Sequence, residues 1–252
     1  MAAASPRLGV LFLGACLVDR SQLVRGLSPG VWWRAPILGF LVRAGDALFL
    51  FDTGMPRRLV AEPLALDPEG RYGDEIVPVM RPRDAVLARL AEAGLHAADL
   101  DAVVTSHWHF DHAGGLADLA DRLVVVQRAE AEAHPPGPGL PFWLEGEHRL
   151  SLVEGDRELA PGVTLLSTPG HTPGHQSLLV ETATGAYLLT SDAVYTRENW
   201  ESDRPGAMVD PDQGRRSVAR LRQVAAEAKA TVVFSHDRLQ AASLSPVPHW
   251  YG

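Results

Sequence analysis

The stretch LDAVVTSHWHFDHAGG, residues 100–115, places three histidines and one aspartate within six positions directly after a short apolar run. The apolar run predicts a buried β-strand, and polar side chains are costly to bury at its end unless something binds them. His107 and His109 are alternate residues that can face one cation, whereas Asp111 and His112 lie in the following turn and can face a second one. Imidazole and carboxylate are the ligands that zinc and its neighbours take where thiolate is absent. The stretch therefore predicts a metal site.

Size and charge limit the classes of protein to consider. The chain has 252 residues and is 46% hydrophobic, which is enough to bury one core and predicts a single α/β domain over residues 1–252. The formal net charge is −8 and no run of lysine or arginine occurs, which argues against a nucleic-acid-binding protein. No apolar run reaches about 18 residues, so no membrane span is predicted. We therefore expect a small molecule as the binding partner.

The single cysteine, Cys16, bears on both metal binding and location. One cysteine provides neither an internal disulfide nor a thiolate cage, so a metal here takes nitrogen and oxygen ligands. The segment MAAASPRLGVLFLGACLVD (1–19) loosely resembles a lipoprotein signal that is cleaved before Cys16. Its apolar part is short, however, and cleavage would delete a core strand, which we predict from Leu8 to Val18. We expect a cytoplasmic protein, with an exported lipoprotein as the lesser alternative.

Segments that predict strands are mixed with segments of helical periodicity. Helices are predicted at 83–94 and 212–230, because apolar residues recur there on one face. The Pro- and Gly-rich stretch 134–149 predicts a surface loop. Besides 8–18, the predicted strands are 47–54, 100–107, 123–130, 163–171, 175–182, 186–192 and 230–237. This mixture indicates sheets packed against helices in layers.

Five of the predicted strands end in aspartate or histidine: Asp52, His107, His171, Asp192 and His236. Side chains at the carboxyl ends of neighbouring strands meet at one edge in layered folds, so we expect these five to converge. His171, Asp192 and His236 would then complete two metal sites, because a carboxylate such as Asp192 can bridge two cations. His175 opens the next strand, and we predict that it lies behind the ligands and supports them.

This set of residues resembles the dinuclear signature of the metallo-β-lactamase superfamily. The resemblance rests on His107-x-His109-x-Asp111-His112 followed by His171, Asp192 and His236. It implies a four-layer αβ/βα sandwich with two zinc ions at the sheet edge, other divalent metals being alternatives. The first metal would be held by His107, His109 and His171, and the second by Asp111, His112 and His236, with Asp192 and a water or hydroxide bridging them. FLFDTG (49–54) resembles the superfamily's early Asp-Thr-Gly strand, whose Asp52 would orient ligands from behind.

Within that superfamily, the chain is similar over nearly its whole length to the N-acyl-homoserine lactone lactonases, which are quorum-quenching enzymes. The matching stretches include SHWHFDHAGG, VVQRAE, STPGHTPGHQSL and SDAVYTREN. The resemblance implies that Tyr195, three residues after the bridging aspartate, is catalytic, and that the protein is a homodimer.

The chemistry of such a site fits a lactone substrate. Two cations about 3.5–4 Å apart lower the pKa of a shared water and supply hydroxide, which attacks the lactone carbonyl. Tyr195 would donate a hydrogen bond to the developing oxyanion, and Asp111 would protonate the leaving alkoxide. The predicted product is the ring-opened N-acyl-homoserine. Nearby aromatic residues, among them Trp108, Phe110 and Trp143, are candidates for the pocket wall, although a core position is favoured for each.

Other reactions of the same site stay open as alternatives. Broader lactone, ester or phosphotriester hydrolysis requires only that the pocket admit the electrophile. A glyoxalase II-like thioesterase shares the metal motif, but by family analogy it carries a helical extension, and only 16 residues follow His236. A β-lactamase of the superfamily commonly has a cysteine at its second metal, and a nuclease needs a basic face. A metal-stabilised scaffold without turnover ranks lower, because all seven ligands and Tyr195 are present.

Overall fold

The computed structural model describes residues 4–66, 76–135 and 140–252. Its strands are β1 (Arg7–Asp19), β2 (Trp32–Ala44), β3 (Ala47–Phe51), β4 (Ile76–Val79), β5 (Ala102–Val104), β6 (Leu123–Gln127), β7 (Arg149–Val153), β8 (Arg157–Ala160), β9 (Val163–Ser167), β10 (Gln176–Thr182), β11 (Gly185–Leu189), β12 (Thr231–Val233) and β13 (Trp250–Tyr251). Its helices are α1 (Arg20–Leu23), α2 (Val86–Glu92), α3 (Phe110–Ala113), α4 (Arg128–Ala133), α5 (Arg197–Ser202), α6 (Pro211–Ala228) and α7 (Arg238–Ala241).

The described strands form two sheets. The first has the order β13-β1-β2-β3-β5-β6-β7, and β4 also pairs with β1. Within it, β3, β5, β6 and β7 run parallel, whereas β2 is antiparallel to both of its neighbours. The second has the order β12-β11-β10-β9-β8, in which β11 and β12 are the parallel pair. Because parallel strands end at the same edge, the residues after β3 and β5, and those after β11 and β12, begin close together.

Alternation along β3 places side chains in two different apolar layers, as the period of a strand requires. Leu48 and Leu50 pack on one face of the first sheet, in a cluster that includes Leu90 of α2. Phe51 points to the opposite face and packs in the cluster between the two sheets, which includes Leu165 of β9. The first sheet is therefore covered by helices on one side and by the second sheet on the other.

The second sheet is covered on its far side by α6. Leu188 of β11 packs there with Leu221 and Ala225 of that helix. Helix α6 begins after Asp210, whose side chain accepts hydrogen bonds from the backbone of residues 212 and 213, and ends before Lys229 in the left-handed region. The layers run helices, sheet, sheet, helices, so the predicted four-layer αβ/βα sandwich is confirmed.

The sequence pattern does not predict β2, which lies between β1 and β3 in the first sheet. Pro36 and Gly39 interrupt it, and both residues ordinarily argue against a central strand. In the structure, β3 pairs only with residues 40–44, so Pro36 lies beyond the doubly paired part of the strand. Gly39 is required by close packing, because a Cβ there would lie 2.6 Å from Leu13 Cδ1 and 2.8 Å from the Asp52 carbonyl oxygen. Both exceptions therefore have a local structural reason.

The stretch 134–149 is only partly the surface loop that its composition predicts. Within its described part, Phe142–Leu144 form a 3-10 turn, and Trp143 and Leu144 are buried in the apolar cluster beside α2.

At the N-terminal end of the chain, the predicted strand at 8–18 lies within β1, and Cys16 is buried in it. Among the helices of the described residues, none combines the length and the apolar character that a bilayer crossing requires.

Candidate metal centre

Polar side chains from both sheets meet at one edge, where their strands end. Asp52 follows β3, and the segment 107–112 follows β5 and runs into α3. His171 lies in the turn after β9, Asp192 in a 3-10 turn after β11, and His236 after β12. The structure thus brings together all seven predicted metal ligands, with Asp52 behind them.

The first ligand group is His107, His109, His171 and Asp192, which offer ligand atoms that all lie within 4.8 Å of one another. His171 Nε2 is 3.2 Å from His107 Nε2 and 3.0 Å from His109 Nδ1. Asp192 Oδ2 is 3.4 Å from His171 Nε2. Three imidazoles and one carboxylate converging in this way are a donor set that suits zinc and related divalent cations.

The second ligand group is Asp111, His112 and His236, and its ligand atoms also lie within 4.8 Å of one another. Asp111 Oδ2 is 3.5 Å from His112 Nε2 and 3.6 Å from His236 Nε2. Asp192 reaches this group with its other oxygen, because Oδ1 is 3.2 Å from both histidine nitrogens. Asp192 therefore faces one ligand group with each carboxylate oxygen, which is the placement of a bridging residue.

The outer nitrogens of three of these histidines face acceptors, and this orients the rings. His171 Nδ1 donates to the Ala207 carbonyl at 2.8 Å, His236 Nδ1 to the Pro36 carbonyl at 2.9 Å, and His112 Nδ1 to Asp52 Oδ2 at 2.8 Å. A carbonyl or carboxylate oxygen accepts and does not donate, so each Nδ1 carries a proton. In the neutral ring, the lone pair of Nε2 then points into the site, as a metal ligand requires.

The inner atoms fit a cation better than they fit one another. In the protein alone, His112 Nε2 and Asp192 Oδ1 are buried and lack a hydrogen-bond partner of good geometry. The Nε2 atoms of His107 and His171 approach to 3.2 Å, yet Nδ1 of His171 already carries the proton of that neutral ring. A positive ion between such atoms would bind the lone pairs of the buried acceptors and would remove the repulsion between those lone pairs. The two ligand groups therefore form a site for divalent metal.

Asp52, Ser106 and Ser191 form a hydrogen-bonded support behind the ligands. Asp52 accepts from the Ser106 amide at 2.7 Å and from the Ser106 hydroxyl at 2.9 Å, in addition to His112. The Ser191 hydroxyl donates to Ser106 Oγ at 2.8 Å. Asp52 and Ser191 both have positive φ, 62° and 45°, which costs about 1–3 kcal/mol each and persists only where the surroundings hold it. The sequence pattern points to Asp52 but gives no signal for either serine.

The charges of the site favour a neutral His107, a neutral His109 and an ionised Asp192. Burial, followed by repulsion from neighbouring histidines, lowers the pKa of His107 and His109 well below the ordinary value. Burial by itself raises the pKa of Asp192, but His112 and His236 outweigh it, so this pKa lies well below the usual range. Burial also opposes charge on His236, yet Asp192 raises the pKa of that histidine. Asp192 and Asp111 thus attract positive charge to the second ligand group, and a metal supplies that charge when it displaces the protons.

Tyr195 places its hydroxyl beside the first ligand group. The hydroxyl donates to the Ala207 carbonyl at 3.3 Å and lies 3.2 Å from His171 Nδ1. The ring packs against Gly206, because a Cβ on that residue would lie 2.2 Å from two of the ring carbons. Burial, then Asp192 and Asp111, raise the pKa of Tyr195 well above its ordinary value, so the hydroxyl keeps its proton and remains a donor.

A cavity of about 240 Å³ opens onto the site. Its polar side is formed by His109, Asp111, His171, Asp192, Tyr195 and His236. Its apolar side includes Val18, Leu23 and Ile76, together with Phe110 and Trp143, which are also members of the core. Cys16, which is distant from the ligands in sequence, contributes to this wall as well. Burial, then Asp111, raise the pKa of the Cys16 thiol well above its usual value, so it lines the cavity as a thiol.

His175 lies behind the first ligand group, as its place at the start of β10 predicts. It is fully buried, its ring centroid is 5.3 Å from that of His107, and its Nδ1 is 2.8 Å from Thr168 Oγ1. Burial, with a further contribution from His171, lowers the pKa of His175 to about 3. His175 is therefore a neutral residue that packs against the ligands, and it is not among the two ligand groups of the described residues.

The chain matches a known protein family over the stretch that carries the site. The family profile of the metallo-beta-lactamase superfamily matches residues 34–236, which include every ligand described above. An N-acyl homoserine lactonase of Bacillus cereus is 38% identical over 240 residues, covering 94% of this chain and 95% of that protein. The N-acyl homoserine lactonase AttM of Rhizobium radiobacter is 33% identical over 258 residues, covering 94% of each.

A solved structure shows the same likeness in three dimensions. An N-acyl homoserine lactone hydrolase, solved with the product N-hexanoyl-L-homoserine bound at its catalytic metal center, is 34% identical to this chain. It superposes with a TM-score of 0.89 and covers 100% of both chains. The likeness therefore extends over the entire fold and is not limited to the histidine motif.

Proposed function

Because this chain belongs to the metallo-β-lactamase superfamily, we propose that it is a metal-dependent hydrolase that opens the lactone ring of N-acyl-homoserine lactones. The observation that carries the proposal is that one cavity is lined by members of both ligand groups, by a protonated tyrosine and by apolar side chains. The lactonases to which the chain is similar support the choice of substrate. The expected homodimer and the cytoplasmic location stay predictions.

We propose two zinc ions per chain. His107, His109 and His171 would hold one, Asp111, His112 and His236 the other, and Asp192 would contact both. When bound, two divalent cations polarise an ester carbonyl and make hydroxide available near neutral pH. The ligand set has no thiolate, so other divalent metals that accept nitrogen and oxygen ligands are alternatives.

Tyr195 is proposed to stabilise the negative charge that develops on the carbonyl oxygen. Its hydroxyl is protonated, lines the cavity and donates a long hydrogen bond, 3.3 Å, to the Ala207 carbonyl. Turning from that carbonyl to the substrate oxygen costs little, because the bond that is given up is weak. The new bond strengthens as the oxygen becomes negative, so it favours the transition state over the bound substrate.

Asp111 is proposed to deliver the proton to the leaving ring oxygen. It lines the cavity, and its side chain is 12% exposed against 5% for Asp192, so Asp111 is the more accessible of the two carboxylates. An alkoxide is a poor leaving group unless it is protonated. Asp111 would accept the proton that water loses when it becomes the attacking hydroxide, and would pass that proton to the ring oxygen as the C–O bond breaks. The reaction ends with the ring-opened N-acyl-homoserine.

The apolar side of the cavity is proposed to receive the acyl chain. Val18, Leu23, Ile76, Phe110 and Trp143 contribute carbon surface to the cavity wall. Each methylene that leaves water for such a wall gains about 0.8 kcal/mol. Substrates with an acyl chain should therefore bind better than homoserine lactone itself.

A substrate panel tests this function against its alternatives. We expect zinc-loaded protein to hydrolyse N-hexanoyl-homoserine lactone with a kcat/KM about 10²-fold or more above that for a phosphotriester, a glutathione thioester or a β-lactam. Ring opening is followed by proton release, with protein stripped of metal as the control. A thioester or phosphotriester that outperforms every lactone would assign the same site to another reaction.

A further inference from the structure

Glu130 is a fully buried carboxylate that belongs to neither ligand group. It lies in α4, directly after β6, and none of its surface is exposed to solvent. A buried carboxylate is tolerated only where donors satisfy its oxygens. The identity of those donors shows what this residue does.

The two oxygens of Glu130 accept hydrogen bonds from two different loops. Oε1 accepts from the Trp108 amide at 2.9 Å, and Oε2 accepts from the Gly174 amide at 3.1 Å. Trp108 lies between His107 and His109 in the chain, and Gly174 lies three residues after His171. One carboxylate therefore joins the two loops that carry the three histidines of the first ligand group.

The packing around Glu130 leaves these loops little freedom. Gly174 approaches α4 so closely that a Cβ on it would lie 2.1 Å from the Glu130 amide nitrogen. The peptide that follows Trp108 is held as well, because the Trp108 carbonyl accepts from the Trp143 indole at 3.0 Å. Hydrogen bonds from backbone N–H groups to a charged, buried oxygen are among the stronger ones in proteins. Glu130 thus fixes the distance between the loops.

We propose that Glu130 is a positioning residue that holds His107, His109 and His171 in place for one metal ion. Trp108 lies directly between His107 and His109, whereas Asp111 and His112 of the second ligand group lie further on in α3 and His236 follows β12. Loss of Glu130 should therefore weaken metal binding at the first ligand group and leave the second nearly unchanged. The inference rests on the proposed dinuclear centre but not on the identity of the substrate.

The test measures metal affinity at each ligand group without substrate. Metal-free protein is titrated with Co²⁺, and the two dissociation constants are obtained by competition with a chelator and from the cobalt absorption spectrum. Glu130→Gln keeps the size of the side chain but replaces one acceptor oxygen with an amide that cannot accept. We expect this substitution to raise the dissociation constant of one bound Co²⁺ by about 10- to 100-fold and that of the other by less than about threefold. Glu132→Gln, an exposed change in the same helix, is the control.

Two further variants, each with only one complete ligand group, show which group loses affinity for Co²⁺. In His236→Ala, where only the first ligand group is complete, adding Glu130→Gln should cause the full loss of affinity. In His109→Ala, where only the second ligand group is complete, adding Glu130→Gln should cause almost no loss.

If Glu130→Gln prevents folding, Glu130→Asp is used, which keeps the charge but is too short to reach both amides. Equal weakening of both equivalents, or of neither, overturns the proposal. Two bound Co²⁺ without lactone turnover would overturn the proposed function and leave this inference intact.

Discussion

Asp192→Asn is expected to lower kcat/KM for lactone hydrolysis by about a thousand-fold or more, equivalent to about 4 kcal/mol of transition-state stabilisation. The two oxygens of Asp192 face both ligand groups, at 3.2 Å from His112 and His236 and 3.4 Å from His171. The amide of asparagine has the same shape but removes the charge, and its N–H groups would point at nitrogens whose lone pairs are needed for metal. We therefore expect the metal content to fall as well, from about two ions per chain to one or fewer.

The matched control for this variant is Asp46→Asn, which changes an exposed aspartate in the turn between β2 and β3. It should leave metal content and turnover unchanged. Circular dichroism and the thermal midpoint of each variant show whether the fold survives. A folded Asp192→Asn protein that keeps two metal ions and its full rate would mean that Asp192 does not join the two ligand groups.

Tyr195→Phe is expected to lower kcat by about 10²-fold while the metal content remains that of the unchanged protein. The substitution removes one oxygen atom, and that oxygen donates only to the Ala207 carbonyl and lies beside His171 Nδ1. The hydroxyl lies on the Nδ1 side of His171, whereas Nε2 of that ring faces the other ligands, so its removal should leave the ligand atoms in place. KM should change little, because the bond from Tyr195 becomes strong only when the carbonyl oxygen becomes negative.

Tyr187→Phe provides the comparison for this variant, because Tyr187 lies on β11 and packs against Tyr251, away from the ligands. Turnover and metal content are measured for both proteins with the same preparation. An unchanged kcat in Tyr195→Phe would remove the tyrosine from the chemistry. A loss of metal in that variant would instead give Tyr195 a structural role at His171.

The ligands could be predicted from the sequence because each follows an apolar segment at the end of a strand. Asp52, His107 and His236 stand directly after or close to runs of buried residues, and parallel strands carry such positions to one edge. The same logic distinguished His171, at the edge, from His175, behind it. This prediction requires only local information, namely the type of each residue and the pattern of apolar residues around it.

The groups that orient the ligands could not be predicted in this way. The acceptors for His171 and His236 are the backbone carbonyls of Ala207 and Pro36, and every residue has a carbonyl. Their positions depend on the packing of segments far apart in the chain. Glu130 illustrates the same limit, since its partners lie 22 and 44 residues away and no motif connects them. Burial of a charged residue is visible only in the folded structure.

The aromatic residues near the motif show a third case, in which both readings of the sequence hold. Phe110 and Trp143 are buried in the core, as their type predicts, and they also form part of the cavity wall. Trp108 is buried too, but its backbone amide has the more specific role, as the donor to Glu130. A residue type reports its preference for burial, whereas the face that remains open to a cavity is decided by packing.

Titration of metal-free protein with zinc, with ring opening of N-hexanoyl-homoserine lactone followed by proton release, tests the central claim most directly. We expect no ring opening without metal, a rate that rises up to about two equivalents of zinc per chain, and no further rise beyond them. Full binding of zinc without lactone turnover would contradict the proposed reaction. Undiminished turnover in metal-free protein would contradict the role assigned to the two ligand groups.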